Sequence, residues 1–300
     1  MSAPYDVFIG IDWSGAKGRA HAGIALACAQ SGHSAPYIIQ PPEHQKYWSR
    51  QAVADWLLAQ SQDQKMLVGI DFAFAHPFLD EGAYYPGSGE MLSDARTLWS
   101  MIDANNADQP DFYGGGLWQH PVFGPYYNAP KNRGVKFQSR RRQTEEMARA
   151  VRAPSPTFNC VGPAGVGTGS LAGMRLLHHL GKEAQIWPFD KSTGQSMTLV
   201  EIFPSFYFQL AGFRPVNGAH TKTEAFNSAL GFFDSQPMPP DFIPKGPDLD
   251  EADALISAAA LRFLARDAAV WQAADQPETR QAARHEGWIF GVKSSREMPC

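Results

Sequence analysis

The sequence predicts an α/β fold in which one mixed β-sheet is flanked by helices. Two short apolar runs, VFIGID at residues 7–12 and MLVGIDFAF at residues 66–74, have the length and composition of buried strands. Between them lie two further strand-like segments and one stretch with apolar residues near helical spacing. The chain has 300 residues, of which 44% are hydrophobic, so it is long enough to bury a large core.

The first 75 residues give the clearest order of elements. HAGIALAC at residues 21–28 and PYIIQ at residues 36–40 are expected strands, and residues 49–61 are an expected helix with Ser49 as its N-cap. We expect the strand at residues 66–74 to pair beside the first strand. Three linked strands, a helix and a fourth strand beside the first are the opening of a ribonuclease H-like fold, although other mixed sheets share this order.

A long insertion, one further strand and several helices are expected in the rest of the chain. Residues 78–165 are rich in Gly, Pro and Tyr and predict a loop-rich insertion between the fourth and fifth strands that covers one face of the sheet. Without an internal repeat or a flexible linker, residues 1–300 are expected to form a single domain. The other expected elements are short helices at 90–105 and 144–152, a helix at 170–183 capped by Ser170, a strand at 197–203, helices at 221–233 and 248–272, and an edge strand or loop at 285–292.

Composition and charge narrow the functional classes. The 26 Lys and Arg residues against 30 Asp and Glu residues give a formal charge of -4, so any site for a polyanion must be a local patch. No apolar run approaches the ~18 residues that could span a bilayer, and the N-terminus lacks the pattern of a signal peptide, so a soluble, unprocessed protein with no membrane partner is expected. Three scattered cysteines without CxxC spacing disfavour a disulfide framework and a zinc site, and they favour a reducing cytoplasm.

Two aspartates stand at the ends of the two buried strands in matching contexts, IGID for Asp12 and VGID for Asp71. If these strands are parallel neighbours, both carboxylates emerge at the carboxyl edge of the sheet, where open α/β sheets bind their ligands. Capping of the following loop explains either residue alone equally well.

A third group of acids begins the helix expected at residues 248–272. Its members are Asp248, Asp250, Glu251 and Asp253. Balancing of the helix dipole suffices for Asp248 and Glu251. Asp253 is followed by alanines that would let the helix pack closely on the sheet and carry this carboxylate towards the strand ends. Its convergence with Asp12 and Asp71, with or without Asp250, would create a negative pocket that needs one or two hard cations, and Mg²⁺ or Mn²⁺ is expected there.

Glu201 in LVEIFPS is a carboxylate within an apolar strand. It is either a further acid of the site or the buried partner of an arginine, because an unpaired carboxylate buried in a sheet is costly. The active-site role is the favoured of the two.

The only strong basic run of the sequence is KNRGVKFQSRRRQ, which contains no acid. Its cations are Lys131, Arg133, Lys136, Arg140, Arg141 and Arg142. Their position beside Tyr126, Tyr127 and Phe137 suits a phosphate backbone with bases that stack on aromatic rings. A solvated loop, or pairing with Glu145 and Glu146, is the alternative.

Two further features are weaker. The glycine-rich segment at residues 161–173 has neither the lysine of a P-loop nor the spacing of a dinucleotide motif, so we expect turn chemistry and close packing over the site. His76, five residues beyond Asp71, is the histidine to consider for proton transfer.

Several motifs together resemble those of one protein family. IGIDWSGA, VGIDFAFAHP, QTEEMAR, VGPAGVGTGSLAGM, IWPFD, VEIFPS, DEADALISAA and HEGW, spread over most of the chain, resemble a family of uncharacterised prokaryotic proteins predicted to be RNase H-like nucleases. The wider superfamily includes Holliday-junction resolvases, and the resemblance implies a carboxylate cluster that binds two divalent ions. Asp12 would then bridge both metals, Asp71 would be the second strand ligand, and Asp250 with Asp253 would be the helix pair; Glu201 is included in the resemblance.

These features favour a metal-dependent phosphodiesterase that acts on nucleic acid, with Asp12 and Asp71 fixing the ions and Asp253 completing their shell. One alternative is a phosphotransferase of the actin and sugar-kinase type, because IDWSGAKG is compatible with a phosphate loop. That architecture needs two copies of the opening, and only one is convincing in the sequence. Another alternative is a non-catalytic binding protein that keeps the fold and uses the aromatic-rich insertion as its interaction surface.

Overall fold

The structure, a computed structural model, describes residues 5–162, 165–191, 194–213, 223–246 and 249–294. Its strands are β1 (Val7–Asp12), β2 (Ala25–Gln30), β3 (Tyr37–Ile39), β4 (Met66–Ile70), β5 (Asn128–Ala129), β6 (Asn132–Arg133), β7 (Gln185–Ile186) and β8 (Met197–Glu201). Its helices are α1 (Arg50–Gln60), α2 (Ala95–Ala104), α3 (Gln143–Ala148), α4 (Gly167–Leu180), α5 (Pro204–Leu210), α6 (Thr223–Phe232), α7 (Asp250–Leu264), α8 (Ala268–Gln272) and α9 (Arg280–Glu286). Two short 3₁₀ helices span Gly115–Gln119 and Gly124–Tyr126.

Six strands form one mixed sheet in the order β3-β2-β1-β4-β8-β7, which confirms the expected α/β class. β2 is antiparallel to both of its neighbours, whereas β1, β4, β8 and β7 run parallel to one another. The fourth strand does pair beside the first, with Ile11 opposite Ile70, and Ile70 in turn lies opposite Glu201 on β8. The carboxyl ends of β1, β4 and β8 therefore meet at one edge of the sheet.

Side chains on both faces of β1 are buried, in two separate hydrophobic clusters. Ile9 and Ile11 belong to one cluster, whereas Phe8 belongs to the other. A strand that is covered on both faces needs an apolar residue at nearly every position, which explains the continuous run VFIG.

Helix α7 lies directly on β1, and Gly10 makes this approach possible. A Cβ atom added at Gly10 would lie 2.7 Å from the backbone nitrogen of Ala258 and closer still to the carbonyl oxygen of Ala254. The alanines of α7 thus allow the close packing that the sequence predicted. As a result, the first turn of α7 is held beside the carboxyl end of β1.

The segment at residues 78–165 has more regular structure than expected. It contains α2, both 3₁₀ helices, the β5–β6 hairpin and α3. Trp99, Tyr127 and Phe158 are fully buried and belong to the same hydrophobic cluster as Ile9. The segment therefore covers one face of the sheet as a packed part of its core.

Several element boundaries differ from the expected ones. α4 begins at Gly167, so Ser170 does not cap the helix but lies inside it, where its hydroxyl donates to the carbonyl of Val166. The long final helix is divided into α7 and α8, and the short helix α5 begins at Pro204, where only the end of a strand was expected. Proline suits the first turn of a helix because its missing N–H group would have no partner there.

The segment at residues 285–292 begins with the last residues of α9 and continues as a loop that makes a single bridge, between Ile289 and Glu201. The expected starts of two helices, at residues 221 and 248, lie outside the described residues. Among the residues that the structure describes, no helix is both long and apolar enough to cross a membrane.

Candidate active site

Asp12 and Asp71 lie at the same edge of the sheet, as the sequence predicted. Asp12 is the last residue of β1, and Asp71 directly follows β4. The backbone N–H of Asp71 donates to the carbonyl of Ile11 at 3.0 Å, which continues the pairing of these two parallel strands by one step. The two carboxylates therefore leave neighbouring strands side by side.

A cavity of about 800 Å³ opens at this edge, and we call it the carboxylate cavity. Asp12, Asp71, Asp250 and Asp253 all line it, so the acids from β1, β4 and α7 share one space. Among the described residues, six acidic residues line this cavity against one lysine and one arginine, Lys17 and Arg142. The cavity is therefore strongly negative.

The pKa values of two of these acids reflect that crowding. Burial raises the pKa of Asp12 well above its ordinary value, and the charges of Asp253 and Asp71 add to the rise, together with a side-chain hydrogen bond between Asp12 and Asp250. Burial is also the main cause of the raised pKa of Asp71, followed by the charges of Asp253 and Glu201. Both pKa values are raised in part by neighbouring carboxylates, so the cationic side chains of the cavity do not fully compensate its negative charge.

A preformed metal site needs several ligand side chains arranged around one point, which is more than lining the same cavity. Among the described residues, no group of three or more His, Cys, Asp or Glu side chains is arranged to hold a metal ion. The structure thus brings Asp12, Asp71 and Asp253 into one cavity without showing a ready set of ligands. Their donor atoms are carboxylate oxygens, which are the ligands that Mg²⁺ and Mn²⁺ prefer.

Glu201 is the partner of a buried arginine, the less favoured of the two roles considered. Arg142 donates from Nη1 to Glu201 Oε2 at 2.7 Å and from Nη2 to Glu201 Oε1 at 2.5 Å. Arg142 also donates from Nε to Glu145 Oε1 at 2.8 Å, and the N–H of Phe74 donates to Glu201 Oε2 at 3.0 Å. Glu201 still lines the carboxylate cavity, but its oxygens are engaged by donors, so a catalytic role for Glu201 is not supported.

The basic run is not one continuous surface, and the burial of Arg140 and Arg142 corrects the assignment of these two residues to nucleic acid. Arg140 and Arg142 are 8% and 1% exposed, and Arg140 is held by Asp80 through two hydrogen bonds of 2.8 and 2.5 Å. Arg141 donates to the carbonyl of Pro154 and has a 24% exposed side chain. These three arginines therefore stabilise the fold, and Arg140 and Arg142 are not available to a phosphate backbone.

Lys131, Arg133 and Lys136, by contrast, are exposed. The guanidinium of Arg133 lies 4.9 Å from the ring centroid of Phe137, and the ammonium of Lys136 lies 5.0 Å from that of Tyr126. None of the three lines the carboxylate cavity. The exposed half of the run is a separate patch at the β5–β6 hairpin.

His76 lies in the core of the insertion and does not reach the cavity, so its proposed part in proton transfer is not supported. It is fully buried, with Nδ1 2.8 Å from the Thr157 hydroxyl and Nε2 2.8 Å from the Tyr127 hydroxyl. Burial lowers the pKa of His76 well below its ordinary value, and nearby Arg140 and Arg142 lower it further. His76 is therefore a neutral core residue at neutral pH.

The glycine-rich segment packs over the carboxylate cavity, as expected. Gly162, Gly165 and Gly169 line the cavity together with residues of the loop that follows β1. A Cβ atom at Gly15 in that loop would lie 2.6 Å from the carbonyl oxygen of Thr168. Only glycine at position 15 allows this loop and the first turn of α4 to approach so closely.

Sequence reasoning missed Arg50, which fixes the loop after Asp12. Arg50 is fully buried, and it donates from Nε to the Ser14 carbonyl at 2.8 Å and from Nη2 to the Ala16 carbonyl at 2.6 Å. A third bond joins its Nη1 to the carbonyl of Asp111 at 2.8 Å. No short-range sequence pattern indicates this role, because the hydrogen-bond partners of Arg50 are more than 30 residues away in the chain.

Lys17 was also missed, although its place in WSGAKG, five residues after Asp12, was a signal. Lys17 lines the carboxylate cavity, with its ammonium 5.8 Å from the ring centroid of Tyr113.

Comparison of the chain with models of protein families, with curated proteins and with solved structures finds no match. The resemblance to RNase H-like nucleases thus stays a prediction.

Proposed function

We propose that this protein hydrolyses phosphodiester bonds of nucleic acid with the help of Mg²⁺ or Mn²⁺. The observation that carries the proposal is the shared cavity of Asp12, Asp71 and Asp253, which come from two parallel strands and one helix. Three crowded carboxylates are stabilised together by a hard cation, since each one alone raises the free energy of the others in their charged form.

Asp12, Asp71 and Asp253, with Asp250, are the residues that would hold the ions. A bound divalent ion would supply an acidic water as the nucleophile and would neutralise charge on the phosphate. Asp250 lies beside Asp12 and shares a side-chain hydrogen bond with it, so it is placed to join the same set of ligands.

The residues around the aspartates hold them in place. Arg142 binds Glu201 beside the end of β4, and its charge prevents that carboxylate from adding fully to the repulsion on Asp71. Arg50 holds the loop after Asp12 through two of its carbonyls. Lys17 on the cavity wall is a cation suited to a phosphate oxygen of the substrate.

The sheet order supports an RNase H-like fold for this site. Strand β2 is antiparallel to β1, whereas β4 and β8 are parallel to β1. The acids lie at the ends of β1 and β4 and at the start of α7. The actin and sugar-kinase alternative would need a second such sheet, and the other sheet in the described residues has two strands. No specific observation favours the phosphotransferase.

A hydrolysis assay tests the proposal. Purified protein is incubated with labelled oligonucleotides and with bis(p-nitrophenyl) phosphate in Mg²⁺, Mn²⁺ or EDTA. Cleavage is expected only with a divalent ion, and Asp71→Asn should lower the rate by more than about 100-fold, because removing a ligand costs more than removing a group that merely orients one. Asp63→Asn, at an exposed aspartate beyond α1, is the matched control and should keep the parental rate. Parental activity in Asp71→Asn, or equal cleavage in EDTA, would contradict the proposal.

A further inference from the structure

A second cavity of about 570 Å³ adjoins the carboxylate cavity, and we call it the side cavity. Ala22 and Asp250 line both cavities, so the two cavities are adjacent at these residues. The remaining lining residues come from β2, β3 and their flanking loops, from residues 245–246 and from the first turn of α7. Its volume falls in the range of sites that hold one small molecule or one nucleotide.

The walls of the side cavity combine apolar, aromatic and cationic groups. Ile24 and Ile39 provide aliphatic surface, and Tyr47 is 39% exposed at the wall. The ammonium of Lys46 lies 5.1 Å from the ring centroid of Tyr47. Lys245, which lies shortly before α7 in the sequence, also lines this cavity.

The two lysines are available to an anion. Both are exposed, and neither forms an ion pair with any residue that the structure describes. The nearby acid Glu251 accepts a hydrogen bond of 2.7 Å from the backbone N–H of Lys245. An aromatic ring beside Lys46, in a cavity that Lys245 also lines, is the combination that a nucleotide needs, since its base stacks on a ring and its phosphate pairs with cations.

We infer that the side cavity binds the nucleotide next to the scissile phosphate, so that the substrate is a single-stranded nucleic acid that runs from the carboxylate cavity past Asp250. This inference rests on the proposed phosphodiesterase function and names its substrate class. A concave pocket that receives one base favours an unpaired strand over a duplex, whose bases face each other inside the helix. A phosphomonoester without a base, by contrast, would have no group to place in the side cavity.

The test uses fluorescence anisotropy with the full-length protein and fluorescein-labelled oligothymidylate and oligouridylate, in buffer with Ca²⁺ in place of Mg²⁺. Tyr47→Ala should weaken binding of the preferred strand by about 5- to 100-fold, the usual effect of losing one base–aromatic stack. Tyr37→Ala is the matched control, because Tyr37 is 49% exposed on β3 and lies outside the lining of both cavities. The control should bind like the parent.

The salt dependence of binding tests the lysines. Lys46→Ala with Lys245→Ala should flatten the slope of log affinity against log salt by about 0.7 for each lost contact. Lys65→Ala with Lys182→Ala changes the net charge equally at exposed sites outside both cavities, and it should keep the parental slope.

Each result separates the inference from the proposed function. Hydrolysis of bis(p-nitrophenyl) phosphate with parental binding in Tyr47→Ala and in the Lys46 and Lys245 variant would overturn the inference and leave the phosphodiesterase standing. Oligonucleotide binding that depends on Tyr47, Lys46 and Lys245, without cleavage in the presence of any divalent ion, would support nucleotide binding in the side cavity and refute the phosphodiesterase function. Binding of neither strand by the parent protein would overturn the inference, as would binding lost only on replacement of Arg133 and Lys136 at the β5–β6 hairpin.

Discussion

Replacement of Arg142 by Met tests the buried ion pairs beside the carboxylate cavity. The guanidinium makes four hydrogen bonds, of 2.5 to 2.9 Å, to Glu201, Glu145 and the carbonyl of Glu286. The side chains of Arg142, Glu145 and Glu201 are 1%, 1% and 3% exposed. Arg142→Met would keep much of the side-chain volume but leave two carboxylates buried without a cation. Removing one partner of a buried pair in this way costs about 3–5 kcal/mol of unfolding free energy.

Urea denaturation followed by circular dichroism measures this cost. Adding Glu201→Gln to Arg142→Met should restore part of the loss, because the second change removes one of the unpaired charges. Arg133→Met is the matched control from the same basic run; it is exposed, and its effect should stay within about 0.5 kcal/mol. A loss below about 1 kcal/mol for Arg142→Met, or equal losses for the two arginines, would refute the assignment of Arg142 to the core.

Three further outcomes are expected. Gly10→Ala should destabilise the protein by about 3 kcal/mol or more in the urea titration, because its Cβ would lie 2.7 Å from the nitrogen of Ala258. Gly231→Ala, on α6 with open space around it, should be neutral or stabilising by up to about 1 kcal/mol. The pKa values of Asp12 and Asp71 are raised in the folded state, so in EDTA the folded protein binds more protons than the unfolded chain above pH ~4. The free energy of unfolding of the parent should therefore fall relative to that of Asp71→Asn as the pH rises, by up to about 1.4 kcal/mol per pH unit for each proton. Parallel pH profiles of parent and variant would contradict this. Mg²⁺ or Mn²⁺ should raise the melting temperature in differential scanning calorimetry and Asp12→Asn should blunt the shift, whereas equal shifts in both proteins would point to another binding site.

The parts of the fold that could be predicted are those set by local pattern. The runs that end in Asp12 and Asp71 are apolar at nearly every position because both faces of β1 and β4 are buried, and that pattern is visible in the sequence. Ser49 is an N-cap by its residue type, and its hydroxyl accepts from the N–H of Ala52 as expected. The start of α5 at Pro204 carries a local signal too, but the same proline also fits the end of the preceding strand, and only that strand end is expected there.

The remaining features could not be predicted because they depend on contacts between residues that are far apart in the sequence. Arg142 and Arg133 belong to one basic run and differ only in what the fold brings to them: Glu201, the partner of Arg142, is 59 residues away in the chain. His76 follows the second strand closely, yet the hydroxyl that binds its Nε2 belongs to Tyr127 in the insertion. Lys46 and Lys245 meet at one cavity only because α7 returns to the first strands of the sheet. No property of the isolated segments distinguishes these cases.

The central claim is that Asp12, Asp71 and Asp253 bind a divalent ion together. X-ray diffraction from crystals soaked in Mn²⁺ tests it most directly, through the anomalous signal of the metal. The account predicts a peak in the carboxylate cavity, about 2.0 to 2.6 Å from oxygens of at least two of these three aspartates. Its loss in crystals of Asp12→Asn would agree with that prediction. Fully occupied Mn²⁺ sites found only on the protein surface, with none in the carboxylate cavity, would contradict it.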